Sequence, residues 1–349
     1  MKDPKTKGLS PAKSMRTGAE AADSIHFSPV DAGQGCASMA TGAKPISPAQ
    51  ARKIPIARKP RWIRTRPLGG PSFLKITELL KHYNLHTVCA ESKCPNLAEC
   101  WAGGTATLMI GSDTCTRACR FCAVKTARRP PPLDPDEPLH VARSIVKLGL
   151  KYVVLTSVDR DDLPDGGAGH FAETVRAIKK ASSSILVESL VPDFQGDETA
   201  IACVVDSGLD VYAHNIETVK RLQARVRDHR AGYEQSLNTL IHAKAHAARQ
   251  GRHLYTKSSI MLGLGETDAE LEEAFDDLRA SGVDVVTLGQ YLRPSESHLP
   301  VEQYLTEEKF AELNQLAQSK GFLYTAAGPM MRSSYRAAEY FMEGVLQKR

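Results

Sequence analysis

Six of the eight cysteines lie between Cys89 and Cys122, in two groups of three. One is Cys115-Thr-Arg-Ala-Cys119-Arg-Phe-Cys122, spaced C-x3-C-x2-C. The other is Cys89-Ala-Glu-Ser-Lys-Cys94-Pro-Asn-Leu-Ala-Glu-Cys100, spaced C-x4-C-x5-C. Thiolates this close in sequence converge from one loop on a compact inorganic core. Three thiolates on three irons of a [4Fe–4S] cube leave the fourth iron open, and an open iron chelates the amine and carboxylate of S-adenosylmethionine. Electron transfer into the sulfonium then breaks a C–S bond and gives a 5′-deoxyadenosyl radical, while the protein positions the cofactor, excludes water and tunes the cluster.

Two simpler chemistries compete. Structural zinc takes four protein ligands, usually from paired C-x2-4-C hooks. Neither group is such a pair, and His140 is the first histidine after Cys122. Disulfides are disfavoured where the N-terminus lacks the apolar core of a secretory signal. Cys36 and Cys203 stand apart from the clusters. Cys203 falls among Ile201, Ala202, Val204 and Val205, where a free cysteine behaves as a small hydrophobe.

The elements that must hold these thiolates alternate along the chain. Short β-rich runs occur at 105–110, 152–157, 185–190, 211–214, 258–262 and 285–288. Helical spacing occurs at 73–83, 139–148, 171–181, 198–206, 216–226, 233–249, 269–280 and 307–320. Six strands alternating with helices predict an α/β fold of parallel βα units with right-handed crossovers. In such folds functional residues collect where strands end. Thr156, Ser157, Asp159, Glu188, Ser189, His214, Asn215, Gly263, Gly265, Glu266 and Gln290 stand at those places. Each alone is an ordinary cap or turn residue, but their repetition predicts a shared pocket.

Composition bounds the rest. The 349 residues are 42% hydrophobic and 24% charged, with a net charge of +5. Ten Lys/Arg and four Asp/Glu fall in residues 1–60, so the basic balance belongs to a tail and predicts no nucleic-acid partner. No apolar run reaches the ~18–20 residues that span a bilayer, which predicts no membrane association. Residues 1–53, rich in Ala, Ser, Gly, Pro and Lys, are expected to be disordered. The cytoplasm is the expected location. A mitochondrial transit peptide is the rival reading, with Asp3, Glu20, Asp23 and Asp31 counting against it. The expected division is a tail (1–53), an extension carrying the first cysteine group (54–104) and a barrel (105–349).

The C-x3-C-x2-C group after the first β-run resembles the radical S-adenosylmethionine superfamily, which implies a partial (β/α)6 TIM-type barrel with N- and C-terminal extensions. With the second cysteine group, the match narrows to lipoyl synthases. The resemblance continues through Thr156-Ser-Val-Asp-Arg-Asp-Asp-Leu-Pro-Asp-Gly-Gly167, His214-Asn-Ile-Glu-Thr218, Met261-Leu-Gly-Leu-Gly-Glu-Thr267, Thr287-Leu-Gly-Gln-Tyr-Leu-Arg-Pro294 and Gly328-Pro-Met-Met-Arg-Ser-Ser-Tyr335. It covers Ile54 to the C-terminus. It implies a sulfurtransferase that inserts two sulfur atoms, at C6 and C8, into an octanoyl chain carried on a protein lysine.

The same resemblance implies two [4Fe–4S] clusters and S-adenosylmethionine. Cys115, Cys119 and Cys122 would hold the radical-generating cluster. Cys89, Cys94 and Cys100, with a serine oxygen placed at Ser334, would hold an auxiliary cluster consumed as sulfur donor. Spacing alone does not separate Ser334 from Ser333, and either serine could instead cap a helix starting near Tyr335. Asn215 and the Gly263–Glu266 turn, with Gly265, are the implied S-adenosylmethionine contacts. The implied partners are octanoylated lipoyl carrier domains (2-oxoacid dehydrogenase E2 subunits and the glycine cleavage H protein), reduced flavodoxin or ferredoxin, and an iron–sulfur carrier that rebuilds the consumed cluster.

Two other readings remain open: another radical sulfur-inserting enzyme, of methylthiotransferase or biotin-synthase type, and a metal-binding module that catalyses nothing. Release of 5′-deoxyadenosine by reduced, anaerobic protein separates the last from the rest. The double variant Cys36→Ala/Cys203→Ala should keep its full iron content; loss of a cluster from it would reassign the ligands.

Overall fold

The computed structural model describes residues 47–63, 69–102 and 107–334. Eight strands form one sheet, ordered as the chain makes them: β1 His86–Thr87, β2 Thr107–Ile110, β3 Tyr152–Ser157, β4 Leu186–Leu190, β5 Val211–Ala213, β6 Tyr255–Leu262, β7 Val285–Gln290 and β8 Tyr324–Gly328. β1 runs antiparallel to β2, and every other neighbouring pair is parallel. Among the described residues the first and last strands do not pair, so the sheet stays open.

All six expected strands are present. β8 is a seventh parallel strand that the β-rich runs did not mark. Its Tyr-Thr-Ala-Ala-Gly sequence has one β-branched residue, and its pairing with β7 supplies what local propensity lacks. The expected helix over 216–226 is the main correction. Glu217 takes φ 65°, its N–H donates to the Ser259 carbonyl, and its own carbonyl accepts from Met261 N. The chain there extends the pairing with β6, and only Lys220–Leu222 (3-10) and Gln223–Val226 turn helical.

The other helices fall close to their expected places and carry the expected terminators. Glu137–Leu148 has Pro138 in its first turn and ends at left-handed Gly149. Thr267 and Glu270 form a capping box before Asp268–Ala280, and the side chains of Asp197 and Thr306 cap Glu198–Val205 and Glu307–Ser319. Their apolar faces bury Val141, Ile145, Phe171, Val175, Ile178, Ile201, Val204, Phe275 and Phe310 against the sheet. Each such side chain contributes about 1.5–3 kcal/mol of burial.

Within the sheet, Lys257 Nζ donates to Glu188 Oε1 at 2.8 Å and the Tyr152 hydroxyl to Oε2 at 2.5 Å. Burial and the Glu188 charge keep Tyr152 protonated, so a closed set of partners satisfies the buried carboxylate. Glu188 and Ser189, expected at a shared pocket, thus divide: Glu188 is spent on this pair, and the Ser189 hydroxyl is buried without a partner.

Two extensions lie outside the βα units. Ser47 and Gln50 box the short helix Pro48–Ala51, which falls inside the stretch expected to be disordered; residues 1–46, including Cys36, lie outside the described residues. The chain then runs on as an irregular arm through Trp62, and the buried Arg293 guanidinium donates to the Ala51 and Ile54 carbonyls, both at 2.8 Å. At the other end, the segment after β8 folds back over β7. A Cβ on Gly289 would stand 2.1 Å from the Met331 carbonyl oxygen, so glycine is what permits the approach. The helix expected near Tyr335 lies outside the described residues.

Gly289→Ala should therefore destabilise the protein by about 1–3 kcal/mol. Gly328→Ala, at the register-matched position of β8 with nothing within 4 Å of its Cβ, should stay within about 0.5 kcal/mol of the parent. Urea unfolding of both checks this; equal stability of the two variants would mean that the 329–334 segment does not sit against β7.

Candidate functional site

The C-terminal strand ends open into one cavity of about 630 Å³. Its lining includes Cys115, Cys119 and Cys122 together with Cys89, Cys94, Ser333 and Ser334. Residues more than 200 positions apart in sequence thus face the same space.

The first cysteine loop follows β2 through Gly111 and Ser112, both at positive φ, into a two-residue ladder of Thr114–Cys115 with Lys125–Thr126. Arg117, inside the loop, fixes its shape. Its guanidinium is 3% exposed, pairs with both oxygens of Asp193 at 2.7 Å and with Asp161 at 2.8 Å, and lies 3.2 Å from Asp159. Burial opposes its charge, but these carboxylates hold it protonated. In return Arg117 holds buried Asp193 down at about 2. Thr116 donates its N–H and hydroxyl to the Asp159 carbonyl, and Ala118 N donates to Asp228. At the loop's far end, His298 Nε2 donates to the Cys122 carbonyl at 2.9 Å.

This frame leaves the sulfurs facing inward with amides behind them. Arg117 N donates to Cys115 Sγ and Asp228 N to Cys119 Sγ, both at 3.3 Å. Burial, then the Asp159 charge, pushes Cys115 up to about 12; burial pushes Cys119 to about 12 and Cys122 to about 11. Such thiols stay protonated and are poor nucleophiles on their own. Metal cations reverse that, and the amides then stabilise the thiolates.

The second group is built differently. Cys89 lies on the turn of helix Val88–Glu91, Cys94 follows it, and Cys100 lies on Leu97–Ala102. Ile76, Trp101, Phe73 and Leu97 pack around them as a small separate core. Asn96, 2% exposed, donates to the Met330 carbonyl at 2.6 Å, which ties this group to the segment carrying the serines. Arg332 lies beside Cys94, and its guanidinium donates to the Pro329 and Met331 carbonyls. No carboxylate pairs with it among the described residues. Among the described residues no three Cys, His, Asp or Glu are grouped closely enough to hold a single metal ion.

The remaining strand-end residues divide. Thr156, Ser157, Asp159, His214, Asn215 and Gln290 line the cavity; Glu188, Ser189, Gly263, Gly265 and Glu266 do not, nor does Cys100 of the second cysteine group. His214 is held neutral, at about 4, first by burial; its Nδ1–H donates to the Val191 carbonyl and Nε2 accepts from Ser236. Asn215 Nδ2 donates to Glu217, and its buried Oδ1 has no partner among the described residues, so it offers an acceptor to a polar ligand. The 263–266 turn acts at one remove: Glu266 accepts from Gly263 N and Leu264 N, and Gln290 Nε2 reaches the Leu262 carbonyl. Cys203 is half-buried on Glu198–Val205, outside the cavity lining. Arg117, His298, Glu217 and Arg332 were not singled out by spacing. The first lies inside the cysteine motif and the last inside Arg-Ser-Ser-Tyr, the one local signal either offered.

Residues 109–278 match the family model of the radical SAM superfamily. The chain is 57% identical over 297 residues to a mitochondrial lipoyl synthase of Danio rerio, covering 84% of this chain and 73% of that protein. It is 57% identical to a chloroplastic lipoyl synthase of Ricinus communis, covering 84% and 81%, and 54% identical to lipoyl synthase 1 of Zea mays, also chloroplastic, covering 87% and 86%. Among solved structures, the FeFe-hydrogenase maturase HydG from Carboxydothermus hydrogenoformans aligns with a TM-score of 0.50 at 13% identity, covering 79% of this chain and 72% of that one, which speaks for the fold alone.

The expected cytoplasmic location is overturned by these relatives, which are named mitochondrial or chloroplastic. Residues 1–60 carry ten bases against four acids, so the acids leave that stretch strongly basic. The superfamily match entails a [4Fe–4S] cluster and S-adenosylmethionine. With identity this high across most of both chains, the protein belongs to the lipoyl synthase family, sulfur-inserting enzymes of the radical SAM superfamily.

Proposed function

We propose that this chain carries out both sulfur insertions in the single cavity, with the two cysteine groups divided between radical generation and sulfur supply. The observation that supports this most is that Cys115, Cys119 and Cys122 share one cavity with Cys89, Cys94 and Ser334. A bond between carbon and sulfur needs the activated carbon to meet the sulfur without leaving shelter. When bound, the first cluster with S-adenosylmethionine supplies a radical able to take hydrogen from an unactivated C–H bond, and a second [4Fe–4S] cluster supplies sulfide.

The chain's own part is positional. Cys115, Cys119 and Cys122 hold the first cluster in the loop shaped by Arg117. Cys89, Cys94, Cys100 and Ser334 hold the second, with Arg332 balancing its charge. Ser334 is preferred over Ser333 through the family pattern; both line the cavity. Asn215 serves S-adenosylmethionine with its unused Oδ1. The 263–266 turn supports that wall through Gln290. Val158, Leu190, Val191, Ile260 and Leu292 line the cavity with hydrocarbon, which suits an octanoyl chain and excludes water. The substrates are octanoylated lipoyl carrier domains, of E2 and H-protein type. Reduced flavodoxin or ferredoxin supplies electrons, and an iron–sulfur carrier restores the second cluster.

Anaerobically purified protein should hold two [4Fe–4S] clusters per chain by iron and sulfide analysis with Mössbauer spectra. Bound zinc, or one cluster only, would sink the proposal.

The triads should also fail differently in single turnover with octanoyl-carrier. Cys119→Ala should abolish both 5′-deoxyadenosine and product. Cys94→Ala should keep some cofactor cleavage but form no thiolated product, and Ser334→Ala should follow it more mildly. A deuterated C6 position reports misdirected radicals. Normal product from Cys94→Ala would remove the sulfur-donor assignment.

A further inference from the structure

The arm beside the cavity carries chemistry that the reaction itself does not use. From Ala32 through Thr77 the chain holds no Asp or Glu but nine Lys or Arg. Within it, Arg52 through Lys59 are exposed without interruption. Three of the large hydrophobic side chains most open to solvent also lie here: Ile54 at 39%, Ile56 at 46% and Trp62 at 39%. Apolar residues this exposed within a short basic stretch mark a contact surface more than a solvated face.

The strip is held in place. Ala51 and Ile63 are buried at its two ends, and Arg293 clamps the Ala51 and Ile54 carbonyls. Arg293, Pro294 and Lys59 all line the cavity, so the strip is continuous with its rim. A backbone fixed at both ends loses little entropy on binding a partner.

We propose that residues 52–62 are the docking strip for the acylated carrier, and that they recognise an acidic surface flanking an apolar patch beside its modified lysine. The proposal rests on the reading that the substrate is an octanoyl chain tethered to a protein. A tethered chain reaches the cavity only if the carrier's surface meets its rim, and the rim here presents cations around Ile54, Ile56 and Trp62. The apolar side chains form the dry centre of the contact. The cations steer encounter, an effect that added salt screens over about 8 Å at physiological ionic strength.

The test uses the cluster-loaded full chain with two substrates: a whole acidic octanoylated carrier domain and a short uncharged octanoyl-lysine peptide. Lys53→Glu/Arg58→Glu should raise KM for the carrier about tenfold and flatten its dependence on salt, as expected when steering charges are reversed. Ile56→Ser/Trp62→Ser should raise it with the salt dependence kept. Peptide turnover should be unchanged in both variants, and Lys53→Arg/Arg58→Lys should behave as the parent. Carrier binding followed by calorimetry without turnover should weaken in parallel. Absence of thiolated product from the parent would thus strike the substrate reading, while docking is read separately. Equal losses on carrier and peptide, or none on either, would overturn the docking strip. A dimer-to-monomer shift of the chain alone in the variants would assign the strip to self-association instead.

Discussion

The site depends on a single buried cation. Arg117 sits inside the C-x3-C-x2-C loop and meets carboxylates delivered by the segments after β3 and β4. Three strand ends are therefore bound to one another through a guanidinium before any metal arrives. An unpaired charge at this depth would cost about 3–5 kcal/mol, so each carboxylate holds the others in register. Without that constraint, three cysteines on a loop would be merely near each other in sequence.

The other half of the cavity rests on close approach. Met331 passes over Gly289 where no larger residue fits, and Asn96 catches the Met330 carbonyl. The seventh parallel strand delivers the chain to that point. Its backbone path thus shapes the cavity wall beside Cys89 and Cys94. The cations differ in kind as well: Arg117 is neutralised by carboxylates, whereas Arg332 has no carboxylate partner among the described residues.

The cysteine spacing made the chemistry legible, because Fe–S loops place ligands a few residues apart without the paired hooks of structural zinc. Six strands were legible from β-branched runs. β8 was not, since its Ala-Ala-Gly end is stabilised by its neighbour and not by its own side chains. The 216–226 segment misled because its apolar spacing is helical while Glu217 takes a left-handed turn that only pairing with β6 supports. Arg117 and Arg332 were invisible as functional residues, because an arginine's role depends on carboxylates, or their absence, contributed by distant segments. The expected cytoplasmic location does not agree with the relatives, which are named mitochondrial or chloroplastic.

The hydrogen bond from Asn96 to Met330 joins positions 234 residues apart, with the whole βα array between them. Contacts of such separation cannot form until the intervening chain is in place, and in folding they come late. The second cysteine group, though it is made before any barrel helix, therefore completes its pocket only after the final strand has joined the sheet. A chain that stops short of that strand has the cysteine-bearing helices but lacks the Met330 carbonyl that Asn96 engages, so the two ends of the sequence complete one wall of the cavity together.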